Sequence, residues 1–118
     1  MKKILYIEDN LDTSDAVKSM LTNVGFTVET ANSGKKGIAI AKQGFDLFLL
    51  DIMLPDMSGW DIFAKLKKSG TNAKFAFLSA IPVSSERMTE LRNAGVSDYI
   101  TKPFTKQDLI NRINKILK

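Results

Sequence analysis

Short apolar runs alternate along the chain with longer segments in which apolar residues recur at helical spacing. The apolar runs predict five strands, which lie at Lys3 to Glu8, Phe26 to Ala31, Asp46 to Leu50, Lys74 to Leu78 and Ser97 to Thr101. A helical pattern follows each strand. This regular alternation predicts an α/β fold in which helices cover both faces of a parallel sheet.

The composition of the strands predicts their order in the sheet. A strand that helices cover on both faces is apolar throughout, whereas an edge strand can carry polar residues. The first, third and fourth strands are continuous apolar runs at Ile4 to Ile7, Leu47 to Leu50 and Phe75 to Leu78, but the second and fifth contain polar positions. The order 2-1-3-4-5 places the two mixed strands at the edges of a doubly wound sheet with right-handed crossovers.

Residues at the ends of the helical patterns agree with this prediction. Asp12 is predicted to cap the first helix and Gly25 to end it. Ser58 precedes the third helix, Gly70 follows it, and Gly95 closes the fourth. The apolar residues at helical spacing are Val17, Met20, Leu21 and Val24 in the first helix, Ile62, Phe63 and Leu66 in the third, and Leu109, Ile110, Ile113, Ile116 and Leu117 in the last.

The composition is that of one folded domain and excludes several kinds of chemistry. Of the 118 residues, 44% are hydrophobic and 25% are charged, and there is no cysteine or histidine. Disulfides, thiol catalysis, histidine general bases and metal sites with Cys or His ligands are therefore excluded. Because the apolar runs are short and no leader-like start is present, we predict no membrane association and expect a cytoplasmic protein.

The charge of the chain raises nucleic acid as a partner. Its net charge is +4, from 17 basic and 13 acidic residues. The lysines are scattered, however, without the interleaved aromatic residues that single-strand binding uses. We therefore predict a solvated basic surface and no direct binding of nucleic acid.

Candidate chemistry lies where the predicted strands end. In an open parallel sheet, ligands bind beyond the carboxyl ends of the strands at the point where the strand order reverses, here between strands one and three. Strand one ends at Glu8 and Asp9, and strand three ends at Asp51, so three carboxylates are predicted to meet in one crevice. Their mutual repulsion requires a cation nearby.

Two cations suit this crevice. A cluster of oxygen ligands without His or Cys suits Mg²⁺, which also binds water and phosphate oxygens. Lys102 follows strand five and is predicted to reach the same crevice, and Ser79 adds a hydroxyl at the end of strand four. Taken singly, these residues have ordinary explanations as loop acids, a strand terminator, a turn serine and a solvated lysine. Because four strand ends supply the needed types together, the set points to phosphate chemistry.

Four segments resemble the motifs of the receiver domains of two-component response regulators. They are the acidic pair Glu8-Asp9, the loop DIMLPDMSG from Asp51 to Gly59, the pair Ser79-Ala80, and the segment DYITKPF from Asp98 to Phe104. Each motif is weak alone, but the set is specific and covers the whole chain. The resemblance implies a flavodoxin-like, CheY-like (βα)5 fold, and we expect residues 1–118 to form a single receiver domain with no output domain in this chain.

The resemblance also implies the role of each residue at the strand ends. Asp51 would accept a phosphoryl group, and Lys102 and Ser79 would contact its oxygens. The ligands implied for Mg²⁺ are Glu8, Asp9, Asp51 and the main-chain carbonyl of Met53. Such a protein is a signalling domain with intrinsic self-phosphorylation and slow dephosphorylation rather than an enzyme.

A conformational switch follows from the same resemblance. The Ser79 hydroxyl would move to a phosphoryl oxygen, and Tyr99 would turn inward to fill the vacated space, which changes the face formed by the fourth helix, the fifth strand and the fifth helix. An ordinary half-buried tyrosine on an edge strand is the alternative for Tyr99. The peptide bond between Lys102 and Pro103 is implied to be cis.

The partners are also implied by the resemblance. Because the chain has no histidine, its phosphoryl donor would be a separate histidine kinase or a small phosphodonor, and its downstream effector is unknown. Asp98, Asp108, Arg87 and Arg112 lie where DNA-binding members of the family place ion pairs between subunits. A phosphorylation-dependent homodimer is therefore a hypothesis, with exposed intrachain helix charges as the alternative.

Other phosphate and metal proteins with similar sheets fit less well. A Toprim-type site needs Asp-x-Asp after a strand, but position 53 is methionine, and a haloacid-dehalogenase-type phosphatase needs that spacing after strand one, where Asp9-Asn10-Leu11 breaks it. A flavin module needs a hydroxyl- and glycine-rich loop where this chain has acids, and no nucleotide P-loop motif occurs. A pseudo-receiver that no longer accepts phosphate is the remaining alternative, although every active-site residue type is present.

Overall fold

The computed structural model describes residues 2–118, which form one five-stranded parallel sheet with five helices. The strands are β1 (Lys3–Ile7), β2 (Thr27–Ala31), β3 (Leu47–Leu50), β4 (Lys74–Ser79) and β5 (Val96–Thr101). The helices are α1 (Leu11–Thr22), α2 (Gly34–Ala41), α3 (Gly59–Lys68), α4 (Ser85–Asn93) and α5 (Lys106–Ile116). The strand order β2-β1-β3-β4-β5 confirms the predicted topology, and every predicted strand boundary lies within one residue of the observed one.

Alternating side chains of the strands form two apolar cores, one on each face of the sheet. In β1, Ile4 and Tyr6 pack in the core that contains α1 and α5, whereas Leu5 and Ile7 pack in the core that contains α2, α3 and α4. The edge strands β2 and β5 contain both buried and exposed positions, as their mixed composition predicts. Within the described residues, no helix has both the length and the apolar character needed to span a bilayer.

The start and end of α1 differ from the sequence prediction. Asn10 is the N-cap, because its side chain accepts the N–H of Thr13 at 2.9 Å, and Asp12 lies in the first turn instead. The helix ends at Thr22, so Val24 lies beyond it and is 46% exposed. The predictions that Asp12 caps the helix and that Val24 belongs to it were therefore wrong. Residue types and apolar spacing indicate that a helix is present, but they do not determine the residues at which it begins and ends.

A carboxylate from a distant part of the chain holds the N-terminus of α2. Asp56, in the loop between β3 and α3, accepts the N–H groups of Gly34 and Lys35, each at 2.8 Å. Ser33, the N-cap, accepts the N–H of Lys36 at 3.2 Å. The N–H groups of Lys35 and Gly34 hold the pKa of the Asp56 carboxyl below its usual value. The loop that follows β3 is therefore anchored to α2.

The same loop is closed tightly on itself. The N–H of Gly59 donates to the carbonyl of Ile52 at 2.8 Å, and Met53 pairs with Ser58 in an antiparallel bridge. Gly59 packs so closely on the main chain that an added Cβ would lie 2.9 Å from the carbonyl carbon of Asp51. The side chain of Met53 points away from this packing and is 69% exposed. The backbone around Asp51 therefore has little freedom to move.

Substitution of Asp56 by Asn should weaken the anchor of α2. An amide offers its oxygen to one N–H group and presents its own NH₂ to the other, so one of the two hydrogen bonds is lost. We expect a lower Tm for Asp56→Asn than for the wild type at pH 7. Because the folded pKa lies below the ordinary value of 3.8, the contribution of Asp56 is complete above that value and disappears as the pH falls through the folded pKa. Thermal unfolding followed by circular dichroism across this pH range should therefore show the two Tm values converging in acid.

Asp61→Asn is the matched control for this experiment. Asp61 is an exposed acid in the first turn of α3, and its carboxylate accepts no helix N–H group in the part of the chain that the structure describes. Its substitution therefore removes a favourable charge at a helix N-terminus without removing a capping bond. Equal losses of Tm in the two variants would show that Asp56 acts only through its charge.

Candidate functional site

The carboxyl ends of β1 and β3 bring the predicted acids together. The backbone ladder continues past both strands, since the N–H of Glu8 donates to the carbonyl of Ala31 at 3.0 Å and the N–H of Asp51 donates to the carbonyl of Ile7 at 3.1 Å. Glu8, Asp9 and Asp51 each offer a carboxylate oxygen within 4.8 Å of the others. Glu8 is 2% exposed and Asp51 is 7% exposed, whereas Asp9 lies open to solvent. The cluster is compatible with a bound metal ion.

Both carboxylate oxygens of Glu8 have hydrogen-bond donors. Oε1 accepts the hydroxyl of Tyr6 at 3.0 Å and the ammonium of Lys102, and Oε2 accepts the N–H of Asn10 at 3.1 Å. Burial raises the pKa of Glu8, but the donors and the positive charge of Lys102 outweigh burial and lower it overall. Glu8 is therefore a fixed negative charge inside the protein at neutral pH.

Asp51 is shifted in the opposite direction. Burial and the negative charge of Glu8 raise its pKa, and the Lys102 ammonium, 3.5 Å from Oδ2, offsets only part of this effect. The N–H of Ile52 donates to Oδ1 at 2.7 Å. Two neighbouring carboxylates thus share one ammonium group, so the single positive charge of Lys102 does not balance the two negative charges of ionised Glu8 and Asp51.

The main chain fixes the position of Lys102. Its N–H donates to the carbonyl of Ser79 at 2.8 Å, which extends the pairing of β4 and β5 beyond the last strand residue. The peptide bond from Lys102 to Pro103 is cis. The side chain, 22% exposed, reaches across the edge of the sheet to both Glu8 and Asp51. The predicted cation therefore lies in the predicted crevice.

Ser79 and Tyr99 are connected through the main chain of Ile81. The Ser79 hydroxyl, which is 1% exposed, accepts the N–H of Ile81 at 3.3 Å, and the Tyr99 hydroxyl donates to the carbonyl of Ile81. The Tyr99 ring is 6% exposed and lies 6.0 Å from the ring of Phe77 and 6.4 Å from that of Trp60, and burial raises the pKa of its phenol. The tyrosine already points inward in this structure.

The charged residues expected at a subunit interface make contacts within the chain. Arg112 lies 3.1 Å from the carboxylate of Asp98 and 3.2 Å from that of Asp108. The guanidinium of Arg87 lies 4.9 Å from the ring centroid of Trp60, which is the geometry of a cation–π contact. In the single chain, these charged residues therefore form contacts within the chain, which is the alternative to contacts between subunits.

Three residues that shape the site are absent from the sequence prediction. Tyr6 belongs to a run that reads as apolar, yet a buried phenol needs a hydrogen-bond partner, and Glu8 two positions later on the same face of the strand supplies it. Asn10 acts through its backbone N–H, which no side-chain pattern reveals. Asp56 has partners 21 and 22 residues earlier in the chain, so no local signal could identify it.

The shift of Asp51 predicts an effect on stability. A carboxyl with a raised folded pKa costs stability when it is ionised, and this cost appears as the pH rises through the ordinary value of 3.8 and is complete above the folded pKa. We therefore expect Asp51→Asn to have a higher Tm than the wild type at pH 7 in EDTA and an equal Tm below pH 3.8. Differential scanning calorimetry measures both. Asp9→Asn, which removes an exposed acid from the same cluster, should change Tm less, and a lower Tm for Asp51→Asn at pH 7 would contradict the direction of the shift.

Comparison with known proteins identifies a family over almost the whole chain. Residues 4–114 match the family described as the response regulator receiver domain. The probable transcriptional regulatory protein SilR of Salmonella typhimurium is 37% identical over 117 residues, which are 98% of this chain and 51% of that protein. The chain thus spans about half the length of the curated relatives it matches.

Solved structures agree with this family. The CheY-like response regulator receiver domain protein of Methanospirillum hungatei has a TM-score of 0.88 at 34% identity, covering 99% of this chain and 94% of that one. The response regulator TrrA of Thermotoga maritima, in complex with Mg²⁺ and beryllofluoride, has a TM-score of 0.84 at 28% identity, covering 99% of this chain and 100% of that one. The chain therefore belongs to the receiver domains of two-component response regulators, and it is a signalling domain with the CheY-like fold and an acidic cluster at the carboxyl edge of its sheet.

Proposed function

We propose that Asp51 accepts a phosphoryl group from a histidine kinase or a small phosphodonor in a reaction that requires Mg²⁺. The observation that carries this proposal is a buried Asp51 carboxylate whose Oδ2 lies 3.5 Å from the Lys102 ammonium, beside two further acids that follow the neighbouring strand β1. Lys102 and Asp51 come from different strands, and their main chains are held by ladder hydrogen bonds. Such a fixed pairing of a nucleophile with a cation suits phosphoryl transfer, which depends on positioning and charge stabilisation.

The acidic cluster has the ligands that Mg²⁺ requires. Glu8, Asp9 and Asp51 offer only oxygen atoms, and three oxygens within 4.8 Å of one another can share one ion. The main-chain carbonyl of Met53, in the tight loop after Asp51, would complete the protein ligands. When bound, the ion supplies positive charge to the phosphoryl oxygens. The relative TrrA was crystallised with Mg²⁺ and beryllofluoride, which supports this choice of metal.

In the proposed transfer, an Asp51 carboxylate oxygen attacks the phosphorus in line with the leaving group. The new oxygen–phosphorus bond forms while the bond to the donor breaks, and the donor group leaves with that electron pair. Lys102 would then pair with a phosphoryl oxygen. Water later attacks the acyl phosphate, which restores the carboxylate of Asp51 and releases inorganic phosphate. The chain would therefore carry a self-limiting signal.

Ser79 and Tyr99 would transmit the phosphorylated state to the face formed by α4, β5 and α5. The Ser79 hydroxyl accepts a hydrogen bond from Ile81, so its own proton is available for a phosphoryl oxygen. Because Tyr99 already points inward, phosphorylation would stabilise this arrangement rather than create it. The proposed switch is thus a shift between existing conformations.

The face formed by α4, β5 and α5 would act on a downstream effector. Relatives about twice as long as this chain are transcriptional regulators, so control of transcription is one output that fits. Signalling of this kind, with a histidine kinase as donor, would take place in the cytoplasm, without direct contact of this domain with nucleic acid or membrane.

Homodimerisation on phosphorylation is a further part of the proposal. Arg112, which holds Asp98 and Asp108 within the chain, would exchange one of these carboxylates for that of a second copy. Sedimentation velocity with Mg²⁺, with and without beryllofluoride, should then show a larger species only when beryllofluoride is present. Identical monomer profiles would eliminate the homodimer.

Phosphorylation itself can be measured directly. On incubation with acetyl phosphate and Mg²⁺, the wild type should gain the mass of one phosphoryl group, whereas Asp51→Asn should gain none and the wild type in EDTA should gain none. Lys102→Ala should react more slowly because the developing charge on the phosphoryl oxygens loses its protein cation. Intact-protein mass spectrometry over time provides these rates.

Asp61→Asn is the control for this measurement, because it removes an exposed carboxylate outside the cluster and should react like the wild type. A wild type that gains no phosphoryl group from acetyl phosphate or from a panel of histidine kinases would favour a pseudo-receiver and refute the proposal. Phosphorylation of Asp51→Asn would place the acceptor elsewhere.

A further inference from the structure

A basic cleft lies at the end of the sheet opposite to Asp51. It has a volume of about 650 Å³ and opens between the C-terminal parts of α4 and α5, over the start of β5. Its charged lining residues are Lys74, Arg92, Asp98, Arg112 and Lys115. Four positive charges and one negative charge give a net +3, whereas the whole chain carries +4. The charged lining of this cleft is therefore predominantly basic.

The only acid of the cleft is already neutralised. Asp98 pairs with Arg112 at 3.1 Å, and no ion pair within residues 2–118 involves Lys74, Arg92 or Lys115. Arg92 and Lys115 lie in the last turns of their helices, where the helix dipole favours a cation. That explanation does not apply to Lys74, which begins β4. Three cations without partners thus line one cleft.

We propose that this cleft binds an acidic segment of a downstream protein partner, whose carboxylates pair with Lys74, Arg92 and Lys115. The inference rests on the proposed function, since it gives the chemistry of the effector. Charge complementarity requires an anionic occupant, and Arg112 already binds carboxylates beside the cleft. The volume lies within the range of about 300–1,000 Å³ for ligand pockets, so it accommodates a few residues of a peptide better than a nucleic acid duplex.

A second copy of the chain matches this cleft less well. Two copies of the cleft placed against each other would bring cations against cations, because Lys74, Arg92 and Lys115 have no acid to pair with there. An acidic segment of a different protein would instead place a negative charge opposite each of these three cations. The homodimer considered above would use Arg112 and its carboxylates, which leaves Lys74, Arg92 and Lys115 for the partner.

Strand β5 connects the cleft to the phosphorylation site. Asp98 and Lys102 are both held by this strand segment, about 13 Å apart at the spacing of extended chain. The carboxylate of Asp98 accepts the N–H of Tyr99 at 2.8 Å and binds Arg112 at the wall of the cleft. A displacement of Tyr99 would therefore act on the wall of the cleft through these two contacts. Because such coupling is reciprocal in binding free energy, binding of the acidic segment should also change the affinity of the chain for Mg²⁺ and beryllofluoride.

The test uses a short fluorescein-labelled peptide of alternating glutamate and glycine as the probe. Fluorescence anisotropy measures its affinity for the intact chain with Mg²⁺ and beryllofluoride and for the untreated chain. In the variant Lys74→Gln with Arg92→Gln and Lys115→Gln, we expect the affinity to fall roughly eight-fold, since each exposed ion pair contributes a factor of about two. A peptide with glutamine in place of glutamate should not bind.

The matched control carries Lys18→Gln, Lys35→Gln and Lys36→Gln, which lower the net charge equally but lie on α1 and α2. Its affinity for the glutamate peptide should stay within about two-fold of the wild type. Equal losses in both triple variants would show diffuse attraction to a basic surface and overturn the proposal. Absence of binding to the wild type, or binding of a labelled DNA duplex at the cleft in preference to the peptide, would also overturn it.

Failure of this inference can be separated from failure of the proposed function. The cleft variant keeps every residue of the acidic cluster, so acetyl phosphate should label it at the wild-type rate. Normal labelling without peptide binding would refute the cleft alone. Loss of labelling in the wild type would refute phosphorylation whatever the peptide does.

Discussion

One ammonium group serves two buried carboxylates, and the structure of the carboxyl edge depends on this imbalance. A carboxylate taken out of water is stable only where donors and cations replace its hydration. Glu8 has these partners in a phenol, a backbone N–H and the Lys102 ammonium, so it stays ionised. Asp51 has fewer partners, namely the N–H of Ile52 and the Lys102 ammonium that it shares with Glu8, and its pKa is raised. The protein therefore holds a carboxylate that is stabilised by any added positive charge, which a divalent ion would supply.

This arrangement requires a scaffold that does not relax. If the carboxylates could separate, repulsion would move them apart and the demand for a cation would disappear. The ladder bonds of Glu8 and Asp51 to neighbouring strands prevent this on one side. On the other side, the loop after Asp51 is closed by Gly59 and anchored to α2 through Asp56. Residues on rigid strand ends and a doubly anchored loop thus keep a charge imbalance that flexible loops would dissipate.

The fold and the main site residues could be predicted from the sequence because both follow from simple patterns. Strand order follows from which apolar runs are continuous, and parallel strands place their carboxyl ends at one edge, so Glu8, Asp51 and Lys102 had to converge. The contacts that tune the site could not be predicted. Tyr6 reads as an apolar residue, and the role of Asp56 depends on where the tip of one loop meets the start of a helix more than twenty residues earlier. Such contacts join residues that the fold brings together, and the spacing of residues along the sequence does not reveal them.

The peptide segment at Ile81 explains how a local change of charge can reach the far end of β5. Its N–H donates to the Ser79 hydroxyl and its carbonyl accepts from the Tyr99 hydroxyl, so both side chains are bonded to the main chain of one residue. Tyr99 is tied in turn through its own N–H to Asp98, which binds Arg112. The Ser79 and Tyr99 side chains are buried, where an unpaired polar group is costly. In the proposed switch, a shift of Ser79 toward a phosphoryl oxygen would release the N–H of Ile81 and would favour a concerted rearrangement, which is the behaviour that a two-state switch requires.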